Sequence, residues 1–279
     1  MSDPEFAVVT TRLGHLAVQH LASGEIMHPI GPVQEAQDLY IAPSRLGTRL
    51  AEPSEQPLVL YDCGLGAGTN AALAWKLSES RSFGRELSIV SFDTTLDALR
   101  LALLPENQES FGLDGDVADI ATRVASGECC QGKRTNWRFV GGEIPQTLAE
   151  QPPADIIYWD MFSSNVDDSL WSVSTLGALR AQCAAATTLH TYSASTRVRA
   201  AMLLAGFAVG FGSETGTKSQ TTIAATRLPD LAEPLGARWL ERLHRSSAAL
   251  PADAPQDGIA RIAALPQFQE HGPAVSAPT

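Results

Sequence analysis

The sequence has no long apolar run: nothing in its 279 residues approaches the roughly 18 consecutive apolar residues that a membrane-spanning helix needs. Met1 to Thr10 carries acids where a secretory leader would have a basic start and an apolar stretch, so the expected compartment is the cytoplasm. Cysteine is scarce. The four cysteines, Cys63, Cys129, Cys130 and Cys183, form no CxxC pair and have no histidine at ligand spacing, which argues against a zinc site or a disulfide framework. Bridging the vicinal Cys129 and Cys130 would require backbone strain, so reduced thiols and no metal are expected. Positive charge is also short. With 20 Lys and Arg against 31 Asp and Glu, the net charge is −11, which excludes a protein that grips DNA or another polyanion over its whole surface.

What is present is enough for a full core. At 44% hydrophobic and 18% charged, the chain is neither disordered nor fibrous. Its length suits a single α/β domain with extensions. From Phe6 to Ile26, FAVVTT and HLAVQHL flank Leu13-Gly14 and read as a hairpin. Pro32 then opens a helix in which Val33, Ala36, Gln37, Tyr40 and Ile41 fall at helical spacing, and a loop over Ala51–Pro57 closes this extension.

Strands and helices alternate after that. Strands are expected at Leu58–Asp62, Leu87–Phe92, Trp137–Val140, Asp155–Trp159, Thr188–Tyr192, Phe207–Phe211 and Thr221–Thr226. Helices are expected at Asn70–Ser78, Thr95–Leu104, Asp116–Ala125, Leu170–Ala185, Arg197–Ala205 and Leu235–Ser246. Such alternation predicts a mostly parallel, seven-stranded sheet with helices on both faces, its last two strands being antiparallel neighbours. The expected division is an N-terminal hairpin and helix extension over 1–57, a core over 58–228, and a C-terminal helix with an Ala/Pro-rich tail over 229–279, mobile at its end.

Asp62-Cys63-Gly64-Leu65-Gly66-Ala67-Gly68 lies between the first of these strands and its helix, where open parallel sheets bind nucleotides. Glycines let the backbone approach a ligand, and the helix start offers free N–H groups. A dinucleotide fingerprint would place glycine at Thr69, so the spacing is DxGxGxG rather than GxGxxG. It resembles the first motif of the class I, Rossmann-like S-adenosylmethionine-dependent methyltransferases. That likeness implies that Asp62, Gly64, Gly66 and Gly68, with Asn70 at the helix start, hold S-adenosyl-L-methionine. Asp93, which ends the second strand, matches the carboxylate that accepts from the ribose hydroxyls, and Gly142-Glu143 is similar to the pair that contacts adenine. The alternative for Asp93 and Glu143 is simple helix capping.

Asp160-Met161-Phe162-Ser163, Trp171, Thr191-Tyr192-Ser193-Ala194-Ser195, Val198-Arg199, Ala205-Gly206-Phe207 and Lys218 narrow the resemblance to the methyltransferase half of the MnmC family. Gly24-Glu25, Met27-His28, Gly31-Pro32 and Glu35-Ala36 resemble that family's N-terminal extension, and Arg238-Trp239-Leu240 through Arg245-Ser246-Ser247 its C-terminal end. The likeness spans roughly residues 6 to 250. It implies methylation of the aminomethyl group of modified wobble uridine in tRNA, with a separate flavin-dependent oxidase as partner, because the oxidase half has no counterpart in the sequence. A departure is Asp167-Asp168, acids beside the presumed substrate mouth where relatives tend to carry Pro and Lys. It keeps open a small amine or a protein as acceptor, or an inactive interaction protein.

An aliphatic amine is mostly protonated at neutral pH, and Asp160 matches the carboxylate that would orient it and remove a proton. Phe162 and Tyr192 are the candidate substrate contacts, each with a core role as its alternative. His28 reads as structural, and Arg197 and Arg199 as solvated or carboxylate-paired. Charge is uneven: Thr187 to Leu250 carries seven basic residues against four acids. Arg238, Arg242 and Arg245 recur on one helix face, either a phosphate-binding stripe or a solvated surface.

Overall fold

The computed structural model describes residues 4–213, 220–246 and 250–269. Lys218, Ser247 and the tail from 270 onward therefore lie outside the described residues.

Strands β1 (Phe6–Thr10) and β2 (Leu16–His20) form the expected antiparallel hairpin. Helix α1 (Pro32–Ala36) runs into a π-helical turn, Gln37–Ile41, and a short helix α2 (Leu46–Ala51) follows. Too short to show a period, α2 was not legible in the sequence; it buries Leu46 and Leu50 one turn apart. The remaining chain alternates as β3 (Leu58–Cys63), α3 (Thr69–Glu79), β4 (Leu87–Asp93), α4 (Asp97–Ala102), α5 (Asp116–Ala125), β5 (Cys130–Gln131), β6 (Thr135–Gly141), β7 (Ala154–Trp159), α6 (Val173–Ala181), β8 (Cys183–Thr191), α7 (Thr196–Leu204), β9 (Ala208–Phe211), β10 (Thr222–Ala225), α8 (Ala237–Arg245) and α9 (Gly258–Ala263).

The main sheet has eight strands in the order β5-β6-β4-β3-β7-β8-β10-β9, one more than expected. The addition is the two-residue β5, antiparallel to β6 at the edge. Strands β6, β4, β3, β7 and β8 are mutually parallel, and β10 runs antiparallel between β8 and β9. The helix expected over Leu170–Ala185 is shorter at both ends. Ser172 caps α6 by accepting from Thr175 N at 3.1 Å, and Asp253 accepts from Val173 N and Ser174 N. At the other end, Cys183 opens β8 beside Ala154 of β7, so pairing in the sheet overrides the helix preference of the alanine run. Helix α9 lies within the segment read as tail, where Ile262 joins the core.

Alternation along the buried central strands divides two cores. Leu58 and Leu60 face the hairpin, the Gln37–Ile41 turn, α3 and α5; Val59 and Tyr61 face α6, α7, α8 and α9. The N-terminal extension thus covers one face of the sheet beside α3. From β3 the chain steps to β4 and β6 on one side and to β7 and β8 on the other, so a crevice opens at the C-terminal ends of β3 and β7.

Candidate active site

A cleft of about 600 Å³ occupies that crevice. Its volume lies within the range of about 300–1,000 Å³ usual for small-molecule sites. The floor is the turn after β3, where Gly64 N and Leu65 N donate to Phe92 O at 2.9 and 3.1 Å. Gly64 has φ 84°, and a Cβ there would sit 2.5 Å from Asp160 O; Gly66 has φ 50°, and a Cβ there would press on Met27 Sδ at 3.3 Å. Only glycine fits between the loop after β7 and the overlying extension.

Gly66 N donates to Asp93 Oδ2 at 3.0 Å, and Thr94 N to Oδ1 at 2.7 Å. The carboxylate is therefore fixed at the end of β4 on the cleft wall. Burial raises its pKa, against the lowering by these backbone donors.

Asp160 follows β7 and is clasped from two elements. Tyr40 OH donates to Oδ1 at 2.7 Å and Asn70 Nδ2 to Oδ2 at 2.8 Å, while His28 Nε2 stands 3.5 Å from Oδ2. His28 Nδ1 is 3.8 Å from Glu35 Oε2, and Glu35 Oε1 accepts from Ile30 N at 2.8 Å. Burial raises the Tyr40 pKa far above its ordinary value, with Asp160 adding to the effect, so Tyr40 is a committed donor.

The loop beyond Asp160 is tied at several points. Glu25 accepts from Ser163 N and Oγ at 3.1 and 2.8 Å, Tyr192 OH donates to Met161 O at 3.0 Å, and Trp171 Nε1 donates to Phe162 O at 2.8 Å. The Phe162 ring stacks parallel to Phe6 at 6.5 Å. Asp168 pairs with Arg197 at 2.5 Å, and Asp167 accepts from Ser169 N and Oγ. Asp168 is thus offset by a cation, whereas Asp167, bound only by neutral donors, keeps its negative charge on the cleft lining. Arg199 is buried rather than solvated or carboxylate-paired: it donates to Thr222 Oγ1 and to the carbonyls of Gln220 and Thr221, and lies over the Phe211 ring.

Of the sequence-predicted site residues, Gly64, Gly66, Asp93, Glu143, Asp160, Phe162 and Tyr192 line the cleft. Asp62, Gly68 and Asn70 sit beneath it instead. Asp62 is fully buried, its Oδ2 accepting from Ser91 Oγ at 2.8 Å, and burial pushes its pKa up to about 8. Gly68 begins α3 against Leu99, and Asn70 reaches the site through Asp160. Sequence reasoning missed Tyr40, which reads there as one more apolar position of a helix, and took His28 as structural. Glu25 and Glu35 stood out only as parts of the extension.

The family described as S-adenosyl-L-methionine-dependent methyltransferase matches residues 120–227. Over 245 residues the chain is 28% identical to the tRNA 5-methylaminomethyl-2-thiouridine biosynthesis bifunctional protein MnmC of Burkholderia vietnamiensis, covering 82% of this chain and 35% of that protein. Over 191 residues it is 26% identical to the protein of the same name from Delftia acidovorans, covering 64% of this chain and 29% of that one. The chain is thus similar to the MnmC proteins, and its segment 120–227 carries the match to S-adenosyl-L-methionine-dependent methyltransferases.

In structure, the chain superposes on MNMC2 from Aquifex aeolicus with a TM-score of 0.72 at 21% identity, over 95% of this chain and 87% of that one. Spermidine synthase from Thermotoga maritima shares the fold, with a TM-score of 0.52 at 13% identity over 83% and 74% of the two chains. The chain spans about a third of the length of the two bifunctional relatives. Its cleft suits S-adenosylmethionine. A Cβ at either turn glycine would fill space beside the loop or the extension, the Asp93 carboxylate is fixed on the wall as a hydrogen-bond acceptor, and further acids line the cleft, a lining that suits a cationic sulfonium. Among the described residues, no helix is long and apolar enough to cross a membrane.

Proposed function

We propose that the chain is an S-adenosylmethionine-dependent methyltransferase acting on an aliphatic amine, the aminomethyl group of the modified wobble uridine of tRNA. The observation that carries this reading is the Asp160 carboxylate, held by Tyr40 and Asn70 on the wall of the cleft one residue beyond β7. S-adenosylmethionine, when bound, supplies an electrophilic methyl group. Gly64 and Gly66 would seat its amino-acid portion, Asp93 would accept from its ribose hydroxyls, and Glu143 lies at the end of β6 for the adenine.

Asp160 performs the remaining chemistry. Its two oxygens are fixed by neutral donors yet keep acceptor capacity for an N–H of the incoming ammonium. Taking that proton frees the nitrogen lone pair for in-line attack. Phe162 and Tyr192 line the acceptor side, and Tyr192 also steadies the loop through Met161 O. Arg238, Arg242 and Arg245 are exposed on α8 opposite its buried Trp239 and Leu243, a stripe suited to phosphates away from the acidic cleft. A separate flavin-dependent oxidase acting earlier on the same nucleotide would deliver the primary amine.

Mass spectrometry of tRNA nucleosides from a strain lacking the chain tests the reading. Accumulation of the unmethylated aminomethyl nucleoside is expected. Unchanged wobble nucleosides would discard tRNA in favour of a small amine or a protein acceptor.

A further inference from the structure

The extension places a buried histidine against the carboxylate that the proposed mechanism uses. Building on the amine reading above, we propose that His28, backed by Glu35, is a positioning residue that receives from Asp160 the proton taken from the acceptor amine.

The geometry gives His28 one carboxylate on each ring nitrogen: Asp160 Oδ2 lies 3.5 Å from Nε2 and Glu35 Oε2 3.8 Å from Nδ1. Glu35 is anchored through its other oxygen by Ile30 N. The His28 side chain is 12% exposed, and its backbone is held at φ 54°, a left-handed conformation that costs a non-glycine residue energy. A histidine serving only to fill space does not need that conformation between two acids. With the proton of the neutral ring on Nδ1 towards Glu35, the Nε2 lone pair faces Asp160.

The proton count closes. An N–H bond of the acceptor ammonium breaks, its electron pair remains on nitrogen, and the proton joins Asp160. The resulting carboxylic acid passes that proton to Nε2, leaving Asp160 ionised and His28 an imidazolium between two carboxylates. Water in the cleft, which His28 and Glu35 both line, takes the proton away between turnovers.

The charged groups acting on His28 are Asp160 beyond β7, Glu35 of α1 and, farther off, Asp62 of β3; Tyr40 faces the opposite oxygen of Asp160. Burial lowers the His28 pKa, but the three acids outweigh it and hold the ring above its ordinary 6.5. Histidine is the side chain whose ordinary titration lies closest to neutrality, and these acids move that of His28 upward.

Two measurements decide the proposal. In the first, the histidine ring of the full chain is titrated by NMR. The His28 transition is expected above pH 6.5 and should fall in both Asp160→Asn and Glu35→Gln. A transition indifferent to both substitutions overturns the relay. In the second, single-turnover methyl transfer to tRNA bearing the unmethylated aminomethyl nucleoside is followed against pH. His28→Gln should abolish the limb that rises through the His28 transition and slow the reaction about 100-fold at pH 8, the low end for loss of a proton-transfer group. Glu35→Gln should move the limb to lower pH, with S-adenosylmethionine binding by calorimetry unchanged in both variants. A uniform loss at every pH with the limb intact overturns the relay and leaves His28 structural. Failure of the unaltered chain to methylate that tRNA discards the substrate reading instead, and the ring titration then decides the relay.

Discussion

The glycine turn after β3 and the N-terminal extension face each other across one cleft, and they contribute in opposite ways. The turn offers backbone: Gly64 and Gly66 bring the main chain close, and Gly66 N orients Asp93. The extension offers side chains: Tyr40 on Asp160, Glu25 on Ser163, and His28 with Glu35 behind the carboxylate. On the proposed function, this difference separates holding the cofactor, which needs close approach and fixed acceptors, from preparing the nucleophile, which needs groups that titrate or orient one that does.

That division can be broken by substitution. Asp160→Ala should reduce turnover by about 10²- to 10⁴-fold in single-turnover assays, the contribution of a general base, while calorimetric affinity for S-adenosylmethionine changes little. Unaffected turnover would end the mechanism. On the turn side, Asp93→Asn replaces an acceptor by a donor opposite hydroxyls, and the lost charge-assisted bonds of about 1.5–3 kcal/mol should weaken cofactor binding about 10- to 100-fold. Tyr40→Phe, on the extension side, should slow turnover about tenfold with cofactor affinity preserved, because it removes one donor to Asp160. Should Tyr40→Phe weaken cofactor binding as much as Asp93→Asn does, the division fails.

A change in stability rather than in turnover is expected at Asp62, beneath both regions. Its pKa in the folded chain, about 8, lies above the ordinary 3.8, so folding favours the protonated form. Its contribution to stability is full below about pH 4 and is lost as pH rises towards 8, by at most about 1.4 kcal/mol per pH unit. Asp62→Asn keeps an oxygen for Ser91 and should flatten that slope in denaturant melts between pH 5 and pH 8.

The sheet was largely legible because β3, β4 and β7 are mostly apolar runs, each closing on or next to an aspartate. The turn was legible because DxGxGxG sits where a strand meets a helix. The partners of Asp160 were not, since Tyr40 and Asn70 lie 120 and 90 residues from it and nothing local marks them. Tyr40 in particular follows the same helical period as its apolar neighbours. Cys183, Ala184 and Ala185 misled for another reason: helix preference is a local property, whereas β8 forms beside β7.

The ties between Glu25 and Ser163 and between Tyr40 and Asp160 cross 138 and 120 residues of chain. A ribosome releases the hairpin and its aromatic residues long before the loop that covers them has been made. Until residue 163 emerges, Phe6 has no Phe162 to stack on and Tyr40 no carboxylate to bind. The apolar side chains of the hairpin and the Gln37–Ile41 turn therefore stay uncovered while more than a hundred residues are made, an interval in which transiently exposed apolar surface is open to wrong association.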